Sequence, residues 1–375
     1  MSVILTLLPF ASIAPAGEPD DPLPPGAVAR LETAGAWHGG VVAVAVSPDG
    51  KRVAWATDQL LHLYDVTARK EIRSWKEPAG CATRLAFAPD GKTFAAARRL
   101  ISGKGLSSIR IFDLLASEPR REIETGIQRV YSFQYFPDGT LGATSLRGVT
   151  RWDPKTGGEL LRYEHKNLDL RAGVSSAAYS PDGKAMAVAA NNGHVWYLEL
   201  QTARRDRLPA APPNRAFVAF TPDGKTVATA GSDTLRFWSV ATGEDTRPFQ
   251  DAIADRIAFA QDGKTVAWAS RNEGIRLGAW RTGKQAVPLA GHIDEVTDLS
   301  ISADGKMLAT GSADGTVLLW DLSKAKFDLT DEAARQRQPQ FFRPWPKEVK
   351  HTLEFDRKEY FLGENILAHY RIRNN

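Results

Sequence analysis

The stretch SPDGKRVAWATDQLLHLYD, residues 47–65, decides the fold. It opens on a Pro-Asp-Gly turn, continues as a strand of small and apolar residues, and ends in a further strand closing on Tyr64-Asp65. The opening phrase recurs as APDGK at 88–92, FPDGT at 136–140, SPDGK at 180–184, TPDGK at 221–225, AQDGK at 260–264 and SADGK at 302–306. Successive turn aspartates are 41, 48, 44, 41, 39 and 42 residues apart. A period of about 40–45 residues with four strands per unit points to an all-β, seven-bladed β-propeller. An alternating strand precedes each turn, as at 41–46 and 256–259, and the Asp-Gly pair suits a two-residue hairpin. Alternation is expected where each sheet packs against a neighbour on both faces.

The third strands name a family. Gly291-His292 followed by GSADGTVLLWDL at 311–322 resembles the WD40 repeat, with its Gly-His, its Asp between strands and its Trp-Asp. The ending persists as Tyr64-Asp65, Phe112-Asp113, Trp152-Asp153, Leu198-Glu199 and Trp238-Ser239, but is Gly278-Ala279 in the sixth unit. The resemblance covers residues 26–322 and implies that the N-terminal strand completes the last blade. The spare strand Ala27–Glu32 is available for this, since only three strands precede the change of composition after Asp321. Pairing the chain's two ends would remove an exposed sheet edge.

Outside the ring, residues 1–16 are apolar with Ala14-Pro15-Ala16 at their end, which reads as a secretion signal and an extracytoplasmic location. The n-region carries no Lys or Arg, so a mis-assigned start and a cytoplasmic location are the alternative. A Pro-rich linker at 17–25 follows, and residues 323–347 form a second, polar linker. Residues 348–375 offer three strands, 349–355, 359–362 and 365–372, as a short partial β-module resembling the opening of a sandwich. Three strands cannot bury a sandwich core, so this segment either packs on the propeller or begins a longer protein.

Composition narrows the chemistry. Against 48 Lys and Arg stand 44 Asp and Glu, and an interspersed net charge of +4 does not suggest a nucleic-acid footprint. The single cysteine, Cys81, cannot form an internal disulfide or a multi-thiolate zinc site, and its place beside a strand start suggests burial. No apolar run reaches the roughly 18 residues of a membrane-spanning helix. The seven histidines lack metal-binding spacing, and the Asp-Gly pairs lack the further acids of a calcium loop, so no metal or cofactor is expected.

Within the last unit, His292, Thr310, Ser312, Asp314 and Trp320 could suggest nucleophilic catalysis. The WD40 resemblance implies instead a buried structural network linking the histidine, the turn aspartate, a strand Thr or Ser and the tryptophan. His62, Arg110, Arg236 and Arg276 share one third-strand position, readable as a basic ring but more simply as a solvated position. The first-strand starts VVAVAV, RLAFA, SFQYF, SAAYS, FVAF, RIAFA and TDLSIS are nearly all apolar. That argues against a propeller enzyme or a small-ligand binder using the central channel, which stays the rival reading.

Two loops break the period. The 48-residue spacing reflects an insertion between the second and third strands of blade 2, and the 44-residue spacing reflects the connection at 163–173 entering blade 4. Both kinds of loop open on one face, and loops on a rigid scaffold carry binding residues. Arg98, Arg99, Lys104, His165, Asp169, Arg171, Asn191 and Asn192 are therefore the candidate contacts of a monomeric, non-catalytic platform for a protein or peptide partner, against neutral surface variation as the plainer alternative.

Overall fold

The computed structural model describes residues 23–32, 40–76, 82–99, 107–127, 129–145, 148–164, 174–202, 205–208, 217–231, 234–246, 249, 252–270, 274–285, 288–324, 350–355 and 368–373. The signal-like residues 1–16, Cys81 and the strand candidate 359–362 lie outside them.

Seven antiparallel sheets form the blades of a propeller. Blade 1 runs Ala43–Val46, Arg52–Ala56, Leu60–Asp65 and Lys70–Lys76, and blade 2 runs Ala82–Phe87, Thr93–Arg99, Ser107–Asp113 and Arg121–Glu124. The first strands of successive blades contact one another in a closed circuit, from Ala43–Val46 around to Val296–Ile301 and back, so they line the axis. The fourth strands are the irregular ones. In blade 5 the described fourth strand is a single bridge, Trp238 to Asp245, and in blade 6 it is Lys284–Gln285.

Alternation explains the packing. Leu61 and Leu63 face blade 2 and pack on Phe94 and Phe112, whereas Trp55 and Val53 face blade 7 and pack with Val317 and Leu319. Buried apolar residues fall into seven clusters, one at each junction between blades, and the seventh joins blade 7 to blade 1. Where the third-strand aromatic is missing, at Gly278, the gap is filled from elsewhere. The Phe249 ring lies tilted by 38° against Trp268 with centres 4.8 Å apart, and a Cβ on Gly278 would meet Phe249 Cζ at 2.6 Å.

The two-residue hairpin expected from Asp-Gly is a four-residue loop instead. Ser47 N–H donates to Arg52 C=O, and Gly50 N–H closes a turn onto Ser47 C=O at 2.9 Å. Only the glycine is left-handed, with φ +69° at Gly50 and between +65° and +78° at the six equivalent glycines. At five of the seven turns the residue before Asp-Gly is proline, which has no N–H to donate the second hydrogen bond that closes a two-residue hairpin. Asp49 Oδ1 then accepts from Ser47 Oγ at 2.6 Å and from Lys51 N–H at 3.0 Å. The same clasp recurs at Asp182, Asp223 and Asp304.

The ring is sealed as the repeat pattern implies. Ala27–Glu32 pairs antiparallel with Thr316–Asp321, Ala27 opposite Trp320 and Glu32 opposite Thr316. Leu31 enters the cluster between blades 7 and 1. Pro24 lies so close over Gly291 that a Cβ there would sit 2.4 Å from its ring, which gives the Gly-His glycine a steric reason. Among the described residues of the C-terminal unit, Lys350–Phe355 pairs antiparallel with Ala368–Arg373.

Deleting residues 17–33 should lower and broaden the calorimetric melt of the entire ring, because it bares the Thr316–Asp321 edge. Leu31→Ala alone should cost about 2–4 kcal/mol in denaturant titrations. A melt unchanged by the deletion would contradict closure by this strand.

Candidate functional site

In blade 7 the Thr310 hydroxyl sits at the centre of a chain of polar contacts. Trp320 Nε1 donates to Thr310 Oγ1 at 3.0 Å, and His292 Nε2 lies 2.8 Å from the same oxygen. On the other side of the ring, His292 Nδ1 is 3.1 Å from Asp314 Oδ2 and 3.2 Å from Thr316 Oγ1. Asp314 also accepts from Ile293 N–H at 3.0 Å and from Thr316 N–H at 2.8 Å. Ser312 is attached at one remove, accepting from Asp314 N–H and donating to Asp294 C=O. Thr316, absent from the sequence expectation, is a full member of the network.

This geometry does not resemble a nucleophile beside its base. Both imidazole nitrogens are engaged, the histidine side chain is 0% exposed, and Ser312 bonds to backbone groups, not to His292. The arrangement ties the segment entering blade 7 to its second and third strands. Burial raises the Asp314 carboxyl, but hydrogen bonds from His292, Thr316 and Ile293 N–H outweigh it and hold it down to about 2. Blade 5 keeps half of the device, with Trp238 Nε1 donating to Thr229 Oγ1 at 3.0 Å.

At the third-strand position shared by His62, Arg110, Arg236 and Arg276, the first two are buried, while Arg236 and Arg276 are half-buried. His62 is 5% exposed, stacks on Trp55 at 4.5 Å and meets Glu71 at 2.6 Å. Arg110 is 9% exposed, with its guanidinium 5.0 Å from the Phe112 ring centre. Leu318, the same position in blade 7, packs on Ile275 and Leu277 of blade 6. A propeller sheet has a neighbour on each face, so this position meets the preceding blade.

Among the candidate loop residues, Arg98 is engaged within blade 2. Its Nε donates to Ser108 Oγ at 3.1 Å and its Nη2 to Glu122 Oε1 at 2.8 Å, which links three strands. Arg99 pairs with Ser107 at the end of the second strand. Asn191, exposed, and Asn192 make the turn between the second and third strands of blade 4, where Asn192 Oδ1 accepts from His194 N–H at 3.1 Å. Lys104, His165, Asp169 and Arg171 lie outside the described residues.

The mouth of the central channel carries charges that the apolar reading of the first strands passed over. Arg84, Arg256 and Asp298 occupy one register position, opposite Ala97, Ala269 and Gly311 on their second strands. Each lies near the start of its strand, so all three are at the end of the ring where the loops between second and third strands also emerge. Asp298 Oδ2 accepts from Val44 N–H of blade 1 at 2.9 Å. Burial pushes the Asp298 carboxyl up, against the opposing pull of Arg84, the Val44 N–H and Arg256. Burial pulls the Arg84 guanidinium down; Asp298 opposes this, and Arg256 and Arg129 add to it. The three residues were visible in RLAFA, RIAFA and TDLSIS. What was not visible was that their shared position brings them together. Among the described residues no group of three His, Cys, Asp or Glu side chains could hold a metal ion.

Residues 216–239 and 283–321 match the family model described as WD domain, G-beta repeat. Over 101 residues the chain is 38% identical to Target of rapamycin complex subunit wat1 of Schizosaccharomyces pombe, covering 26% of this chain and 32% of that protein. It is 35% identical over 102 residues to Target of rapamycin complex subunit LST8 of Saccharomyces cerevisiae, covering 26% and 33% respectively. A longer match, 22% identical over 289 residues, joins 75% of the chain to 22% of Apoptotic protease-activating factor 1 of Danio rerio. The matches thus span about a third or less of these relatives' own lengths.

Asp314→Ala should cost about 2 kcal/mol of stability near neutral pH. Because the folded carboxyl is depressed, its contribution is complete above the unfolded value near 4 and disappears as pH falls towards 2. Denaturant titrations of both proteins at pH 7 and pH 2.5 should therefore converge at the lower pH. An equal gap at both would show that the carboxylate is not the source.

Proposed function

The chain belongs to the WD40-repeat β-propeller family, and from that premise we propose that it is a non-catalytic platform holding a protein or peptide partner on one face of the ring. WD40 propellers are typically protein-interaction scaffolds. The observation that carries the reading for this chain is the contrast between its two faces. The Asp-Gly turns between first and second strands at one end are near copies, and those of Asp49, Asp182, Asp223 and Asp304 are clasped by their own aspartates. At the other end the connections differ in length from blade to blade. A face built from unequal loops on a rigid ring can be specific, whereas the near-identical turns between first and second strands distinguish partners less readily.

Arg99, Lys104, His165, Asp169 and Arg171 are the proposed contacts, with Asn191 and Asn192 from the adjoining blade. Arg98, the remaining candidate, is held within blade 2 by Ser108 and Glu122. The sealed state of His292 favours a platform over a propeller enzyme, since the one His-Asp pair in blade 7 has no open side.

Affinity capture on the purified full chain, read by quantitative mass spectrometry, tests the choice of face. Replacing Arg99 and Lys104 by Gln, and separately neutralising His165, Asp169 and Arg171, should reduce the captured partner by about tenfold. Replacing Lys51, Lys92 and Lys184 by Gln on the turn face should leave it unchanged. Equal retention by every variant would contradict the proposed face.

A further inference from the structure

The channel mouth holds more positive charge than its surroundings compensate. Arg84 is anchored by Nε to Tyr131 C=O at 3.3 Å and by Nη1 to Thr83 C=O at 2.7 Å. Arg256 is anchored in the same way, by Nε to Thr297 C=O at 2.7 Å and by Nη1 to Asp255 C=O at 2.9 Å. In each case Nη2 has no hydrogen bond among the described residues. Carbonyl oxygens fix and orient a guanidinium without neutralising it. The charges that act on Arg84 are Asp298 against Arg256 and Arg129. Arg256 and Arg129 thus share with Arg84 the neighbourhood of the Asp298 carboxylate, which already accepts from Val44 N–H. Aromatic faces hold two of the cations further. The Arg256 guanidinium lies 5.9 Å from the Phe217 ring centre, and that of Arg129 lies 5.1 Å from Tyr131.

Guanidiniums held in a fixed orientation, with excess charge in a partly desolvated site, suit an oxyanion. Uncompensated charge taken out of water is costly, and an anionic group placed there would relieve that cost. We infer that the channel mouth is an anion site that seats an acidic side chain, carboxylate or phosphate, of the peptide bound on the loop face, with Arg84, Arg256 and Arg129 as its donors. This rests on the platform reading and adds the chemistry of the partner's anchoring residue. Asp298 acts as a positioning residue, limiting the surplus charge while the site is empty.

The test is selection of a random dodecapeptide display library on the full chain, followed by affinity measurements on the enriched peptides. The enriched sequences should share an Asp or Glu. Replacing that residue by Gln should weaken binding about tenfold, and replacing it by phosphoserine should not. Arg129→Ala, an exposed change that leaves the ring intact, should weaken binding about fivefold. Asp298→Asn keeps an acceptor for Val44 N–H while removing the one carboxylate, so it should tighten binding. A merely structural cluster would give no gain. Neutral or basic consensus peptides, or acidic ones indifferent to both variants, overturn the anion site and leave the platform standing. Failure to enrich any peptide overturns both.

Discussion

The ring depends on the hydrogen-bonded pairing of Ala27–Glu32 with Thr316–Asp321. Every other sheet is made from residues close in sequence, and its strands can pair as the chain turns back on itself. Blade 7 alone recruits a strand from nearly three hundred residues away. Closing so long a loop carries an entropic cost, though one that grows only slowly with length. Offsetting it are the ladder itself and the burial of Leu31 with Val317, Leu319 and Val41 in the last inter-blade cluster. Further bonds cross the same junction. Thr297 Oγ1 donates to Val41 C=O at 2.6 Å, Val44 N–H to Asp298 and Val46 N–H to Ser300 Oγ at 3.0 Å. Once the junction is made, each blade is covered on both faces.

That closure explains why the buried polar groups are arranged as they are. A repeat protein without ends has no terminal cap to absorb strain, so each blade must be rigid on its own. In blade 7 the Trp320, Thr310, His292 and Asp314 contacts supply that rigidity where the chain's two ends meet. The other blades use substitutes. Blade 6 fills its missing aromatic position with Phe249 on Trp268, and blade 1 stacks His62 on Trp55. The sixth unit's Gly278-Ala279 is thus a local replacement within an intact ring.

Much of this was legible in the residues. The seven Asp-Gly phrases, five of them Pro-Asp-Gly, point to the blade count, and the spare Ala27–Glu32 strand points to the closure. The blade 7 network followed from the family resemblance, except for Thr316. What failed was local geometry. The proline before five of the seven Asp-Gly pairs already argued against a two-residue turn, and reading the position of His62 and Arg110 as solvated overlooked the preceding blade that covers it. The channel charges were missed for a different reason. Arg84, Arg256 and Asp298 are separated by 172 and 42 residues, and each looks like an isolated charge at a strand start. Only the common register around the axis makes them a cluster. For the loop face, the sequence marks where the period breaks but not which side chains are already engaged, as Arg98 is with Glu122.

Native-state hydrogen exchange resolved to single amides tests the closure most directly. If the ring is sealed by this pairing, the bonded amides of Ala27–Glu32 exchange only with the global opening that releases Thr316–Asp321, at the same free energy. Exchange of those N-terminal amides at the rate of a free peptide, while the strand bearing Trp320 stays protected, would contradict it.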